Sequence, residues 1–272
     1  MIRANFHTHT TFSDGKNTPE EMVQTAISLQ MTAIGFSDHS PIGKECTGTS
    51  GMAFESEKAY IAEIARLKNA YSDRLTILSG LEQDSNSPKT PYPYDYTIGS
   101  IHGIWADGIY RAVDYKEQVA LETVETYFGG DHYAYAECYY RALAETANRY
   151  DPTFFGHFDL IAKYNEGGKY FDETHPRYRK AALEALEALI PCGKPFEVNT
   201  GAISRGVRTT PYPNPFILRE MQAHGCRILL SGDSHSASGL LCAYEQATAL
   251  AKSCGFTTAL TLTNTGWQEE AL

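Results

Sequence analysis

With 272 residues, 42% of them apolar and 12% aromatic, the chain is long enough to bury a large core as one domain spanning 1–272. Its formal net charge of −10 comes with no block of Lys/Arg, which argues against a protein that tracks a nucleic-acid backbone and leaves any small phosphate to be held by a local site such as bound metals. The six cysteines lack C-x-x-C spacing and read as reduced thiols, the N-terminus has no long apolar leader, and no segment approaches the roughly 18 apolar residues of a membrane span, so a cytoplasmic location is expected.

Residues 2–7 alternate apolar and polar and predict a strand ending on His7 and His9, which share one strand face and aim two imidazoles at one point. Alone, such a pair commonly caps a strand through backbone hydrogen bonds. The sequence continues with Thr18-Pro19-Glu20-Glu21, a capping box with proline at the first helical position, ahead of an apolar stripe of Met22, Val23, Ala26, Ile27 and Leu29. The run 33–36 predicts a second strand leading into Asp38-His39, and 40–55 a loop lying over the site. A helix over 56–71 is followed by strands over 75–81, ending at Glu82, and 96–101, ending at His102. Helices over 115–128 and 134–149 occupy the middle of the chain, and the apolar run 153–156 delivers His157 and Asp159. A helix over 174–190, a strand over 195–199, a polar loop over 200–208 and a helix over 214–223 precede the strand 227–232, which ends on Asp233 and His235. A helix over 239–252 and a strand over 257–262 close the chain.

Some seven strands, nearly all separated by helices and carrying polar residues at their C-terminal ends, describe a parallel sheet closed into a barrel. An open doubly wound sheet would instead gather its ligands at one switch point. Recurrence of hard and borderline metal donors at successive strand ends turns the reading of His7 and His9 toward metal.

His7-Thr8-His9 with Asp14, Asp38-His39, Glu82, Gly99-Ser100-Ile101-His102, Gly156-His157-Phe158-Asp159 and Gly232-Asp233-Ser234-His235 resemble, in order and spacing, the motifs of the polymerase and histidinol phosphatase (PHP) superfamily. Within it the length, the Gly-Ser-Ile-His and Gly-His-Phe-Asp-Leu-Ile segments and Glu197-Val198-Asn199-Thr200 look most like the stand-alone histidinol-phosphate phosphatases of histidine biosynthesis. The resemblance implies a distorted (β/α)7 barrel and a centre of three divalent metal ions, of Zn, Mn or Fe type. His7, His9, Asp233 and a bridging Glu82 would hold the first ion, Glu82, His102 and His157 the second, and Asp14, His39 and His235 the third. Glu82, Asp233 and His235 are thereby placed at the catalytic centre, and Asp38 and Asp159 are expected to orient His39 and His157. His132, His175 and His224 fall in loops or on helices, where a structural or solvent-facing role is expected.

Three divalent ions against three carboxylates leave a positive site that suits a phosphomonoester dianion, with in-line attack by a metal-bridging hydroxide as the expected mechanism. Arg205, Arg208 and Lys163 are candidate phosphate contacts from two loops, each weighed against an ordinary surface cation. The substrate class is a small phosphate ester, with histidinol phosphate first and a nucleotide as the alternative. An amidohydrolase would carry a metal-bridging lysine at a strand end, which is not found. A plain metal-binding module would not leave so open a centre.

Overall fold

The computed structural model describes residues 2–46, Gly48 and 50–272. In chain order it contains β1 (Ala4–Asn5), α1 (Pro19–Ser28), β2 (Ala33–Phe36), α2 (Glu57–Ala70), β3 (Thr76–Asp84), β4 (Tyr96–Ser100), β5 (Gly103–Ala106) and β6 (Ile109–Ala112). There follow α3 (Glu117–Phe128), α4 (His132–Arg149), β7 (Phe154–Phe155), α5 (Pro176–Leu189), β8 (Phe196–Asn199) and the short α6 (Gly201–Ser204). The chain ends with α7 (Pro215–Ala223), β9 (Ile228–Ser231), α8 (Tyr244–Ser253), β10 (Thr258–Thr263) and β11 (Gly266–Ala271).

The local signals are realised as chemistry. Thr18 accepts from the Glu21 N–H while the Glu21 carboxylate accepts from the Thr18 N–H at 2.8 Å, so the capping box fixes where α1 begins. The apolar stripes of α1 and α2 then bury Met22, Val23, Ala26, Tyr60, Ile64 and Leu67 against Ile34, Phe36 and Ile77 of the strands beneath.

Seven strands pair in parallel in the order β1-β2-β3-β4-β7-β8-β9. Beyond the ends of β1 and β9, the His9 N–H donates to the Ser234 carbonyl at 2.9 Å and the Ser234 N–H to the His7 carbonyl at 3.0 Å. These bonds draw the sheet's two edges together at the end where the predicted ligands lie, and the fold is the (β/α)7 barrel that the resemblance implied. Inside, Tyr96 is fully buried and donates to the Phe6 carbonyl at 2.7 Å. A Cβ on Gly35 or Gly80 would stand 2.3 or 2.2 Å from its side-chain atoms, so these two positions must lack one.

The structure departs from expectation in five places, one of them α6, a single helical turn inside the loop expected over 200–208. β1 is two residues long, because the chain beyond Asn5 turns its backbone bonds toward β9 and the ligand end. Residues 103–112 form an antiparallel hairpin closed by Asp107 and Gly108, both at positive φ, a two-residue Asp-Gly turn. The strand expected over 257–262 forms as β10 but pairs antiparallel with β11 outside the seven-stranded sheet, and β11, with Gln268-Glu269-Glu270, carries no apolar alternation to announce it. The last helix begins only at Tyr244, after a 3-10 turn and Ala243 at φ 58°. Of the loop expected over 40–55, Thr47 and Thr49 lie outside the described residues. Among the described residues no disulfide forms, and no helix is long and apolar enough to cross a membrane.

Candidate metal centre

The parallel barrel brings the ends of β1, β2, β3, β4, β7 and β9 to one face, and with them all nine predicted ligands. Glu82, in β3 and fully buried, lies at their middle. Its Oε1 is 3.0 Å from His157 Nε2 and 3.2 Å from the Nε2 atoms of both His7 and His102. Its Oε2 is 2.8 Å from His39 Nδ1 and 3.5 Å from His9 Nε2. Asp14 Oδ1 lies 3.2 Å from His235 Nε2 and 3.6 Å from His39 Nε2. Asp233 Oδ1 lies 3.3 Å from His9 Nε2 and 3.4 Å from His235 Nδ1. Asp233 sits at φ 41°, the left-handed region that a non-glycine residue enters only when its surroundings hold it there.

Donor atoms close enough to share one ion form four overlapping groups: His9, Asp14, His39 and His235; His7, His9 and Asp233; His7, Glu82 and His157; and His39, Glu82 and His102. Their union is the nine predicted residues. The partition differs from the expected one in that His9 also reaches the Asp14 group, while His102 and His157, both on Glu82 Oε1, fall in separate groups that share Glu82. The donor set fits divalent cations on a second ground. Among the described residues, His7 Nε2, both ring nitrogens of His9 and Glu82 Oε2 are buried without a hydrogen-bond partner, a state that is costly unless an ion takes up the lone pairs.

The electrostatics agree. Burial would raise the Glu82 pKa, but His7, His102 and His39 hold it well below the usual carboxylate range. Asp233 is depressed in the same way, chiefly by Arg205 and His7, and Asp14 by His39 and His235. His7 runs the other way. Although burial disfavours its charged form, Glu197, Glu82 and Asp233 raise its pKa well above the ordinary histidine value, so a cation at Nε2 would displace a proton. His9 is held low by burial and by His235 and His39, and presents a neutral ring.

The orienting carboxylates are not the expected ones. Asp38 accepts from the Thr10 N–H at 2.8 Å and hydroxyl at 2.8 Å and from the Ser13 hydroxyl at 2.6 Å, so it pins the turn after β1 and not the His39 ring. Asp159 accepts from the Asn214 N–H at 2.8 Å, and burial pushes its pKa up to about 6; it does not touch His157. Two residues that sequence reasoning missed orient the rings of other candidate ligands, His7 and His102. Glu197 of β8 accepts from His7 Nδ1 at 2.6 Å and from the His157 N–H at 2.8 Å, and Asp84 accepts from His102 Nδ1 at 2.9 Å. The available signal for Glu197 was a carboxylate inside an otherwise apolar strand, Phe196-Glu197-Val198.

Of the candidate phosphate contacts, Arg205 reaches the centre. It donates to Asp233 Oδ2 at 3.0 Å and to the Asp233 carbonyl at 2.9 Å, lies 2.9 Å from His235 Nδ1, and keeps 26% of its side chain exposed. Lys163 donates to the Asp114 carbonyl at 2.7 Å and to Asp114 Oδ2 at 3.2 Å. Arg208 turns away, donating to the Ala162 carbonyl at 2.6 Å and lying over the Tyr212 ring, which makes it a brace for the loop. His175 caps α5 by accepting from the Arg177 N–H, and His132 stacks on Tyr170, so both stand apart from the cluster.

The family model described as "PHP domain" matches residues 5–201. The histidinol-phosphatase of Bacillus subtilis (strain 168) is 27% identical over 266 residues, covering 90% of this chain and 98% of its own length. A Deinococcus radiodurans protein named "Probable histidinol-phosphatase" is 30% identical over 242 residues, covering 84% of this chain and 85% of that one. Among solved structures, the histidinol phosphate phosphatase of Lactococcus lactis subsp. lactis Il1403, complexed with zinc, L-histidinol and phosphate, aligns with a TM-score of 0.74 at 23% identity, covering 98% of each chain. That likeness establishes a common fold.

Proposed function

The chain belongs to the PHP domain family, and on that premise we propose that it is a metal-dependent phosphomonoesterase that hydrolyses L-histidinol phosphate to L-histidinol and phosphate. The observation that carries the proposal is the cluster of six imidazoles and three carboxylates, four of whose buried polar atoms lack a hydrogen-bond partner among the described residues. The relatives named histidinol-phosphatase, matched over most of their length, supply the substrate.

The donor set suits three divalent ions of Zn, Mn or Fe type, which these nine residues would hold between them. Such ions, when bound, neutralise phosphoryl charge and make water nucleophilic near neutral pH. The chain's own residues do the rest. Glu197 and Asp84 take the outer ring protons of His7 and His102, which fixes the tautomers and presents Nε2 inward. Arg205, part exposed and braced on Asp233, would fork onto phosphate oxygens, and Lys163 would supply a second charge. Because Asp233 and His235 complete a site begun at His7, residues 1–272 act as one catalytic unit, for which a cytoplasmic location is our reading.

Histidinol phosphate should exceed AMP in kcat/KM by about two orders of magnitude or more, equivalent to roughly 2.7 kcal/mol of differential transition-state binding. Elemental analysis of the same preparation should find close to three divalent metals per chain. Equal turnover of AMP would leave the family intact and remove the substrate assignment, while one metal or none after growth in metal-supplemented medium would remove the trinuclear centre.

A further inference from the structure

From His102 the chain does not pass directly to α3 but makes the excursion 103–112 and returns to where it left. Gly103 pairs with Ala112, and the Val113 N–H donates to the His102 carbonyl at 2.9 Å. The return sets Asp114 in a cavity that it lines together with the ligands His39 and His102 and with Asp84.

The position of Asp114 is fixed but its carboxylate is only half used. Its carbonyl accepts from Lys163 at 2.7 Å and from the Tyr164 hydroxyl at 2.8 Å, and its Oδ2 accepts from Lys163 at 3.2 Å. Its Oδ1 accepts no hydrogen bond among the described residues, and the side chain is 22% exposed. Asp84, the other carboxylate lining the cavity, is committed: Oδ2 takes the His102 N–H and Nδ1, and Oδ1 takes the Asn86 N–H at 2.7 Å. Burial would raise the pKa of Asp114, but Lys163, then His102, His157 and His39, more than offset it, so the group is a carboxylate at neutral pH.

We propose that Asp114 is a specificity-determining residue that receives the ammonium of an amino-alcohol phosphate whose phosphoryl end lies at the metal centre. The inference rests on the phosphomonoesterase reading above and names the feature of the substrate that the site selects. An acidic pocket wall beside a cation-rich centre repels a second anion and favours a molecule with an amine close to its phosphate. Lys163 on Oδ2 holds the carboxylate in place and leaves Oδ1 for the amine.

The test compares histidinol phosphate with the imidazolyl propyl phosphate that has the same skeleton without the amine. The wild type should prefer the amine-bearing ester, and Asp114→Asn should lower kcat/KM for it by about 10- to 100-fold while changing the other by less than about threefold. An equal fall for both esters would mean that Asp114 acts only through Lys163 or the fold, and would overturn the proposal. So would a wild type that does not distinguish the two, a measurement that needs no variant to fold. If the wild type hydrolyses neither, the histidinol phosphate reading fails separately, and aminoethyl phosphate against ethyl phosphate then decides the role of Asp114 by the same ratio.

Discussion

Replacing Glu197 with glutamine puts an amide among four buried donors and conflicts with two of them in either orientation. Glu197 Oε1 accepts from His7 Nδ1 at 2.6 Å and from the Ser231 hydroxyl, and Oε2 accepts from the His157 N–H and the Asn199 side-chain amide, both at 2.8 Å. An amide offers one acceptor and one donor group. Its NH2 turned toward His157 and Asn199 strands two buried donors, at about 1–3 kcal/mol each. Turned the other way it meets Ser231, which rotates, and His7, which accepts only by moving its proton to Nε2, the nitrogen that faces Glu82 and Asp233. Either arrangement weakens the centre. We expect Glu197→Gln to bind metal roughly 10- to 100-fold more weakly in competition with a chromophoric chelator. We expect its metal-free form to melt roughly 5–10 °C below the wild type, from a loss of about 2–4 kcal/mol in a chain of this size. Melting both proteins without metal separates this loss from the stability that ligand binding adds. A variant with wild-type metal affinity and an unchanged metal-free melting temperature would refute the assignment of Glu197 as the group that sets the His7 tautomer.

Glu82→Gln should leave the circular dichroism spectrum intact and reduce turnover below about one-thousandth of wild type, a loss of about 4 kcal/mol; near-normal activity would show that the centre lies elsewhere. Arg205→Ala should lower kcat/KM about 10- to 100-fold for every phosphate ester alike, since it touches the group they share, and a fall confined to one substrate would remove that role. Gly80→Ala forces a methyl to within 2.2 Å of the fully buried Tyr96 ring, whose hydroxyl is tied to Phe6. Urea denaturation should show a loss of about 3 kcal/mol, and a loss under about 1 kcal/mol would mean the ring can give way.

The sequence by itself determined the elements that carry the ligands. Strand ends at His7, His39, Glu82, His102, His157 and Asp233 were legible because period-two apolar runs and helix caps are local signals, and a parallel barrel necessarily gathers those ends on one face. The same logic failed one step outward. Asp38 and Asp159 stand close to ligand histidines in the chain and were expected to serve them, yet nearby residues at a strand end need not point the same way, and both carboxylates turn to backbone and hydroxyl donors instead. The ring of His7 is oriented by Glu197, 190 positions away, and that of His102 by Asp84. Arg205 and Arg208 could not be told apart by composition or spacing, but the turn after α6 aims one at Asp233 and the other at the Ala162 carbonyl. The candidate ligands were readable because most of them sit at or just beyond a strand's own C-terminal end. Their partners were not, because register and barrel closure decide which side chains of different strands come within hydrogen-bonding reach.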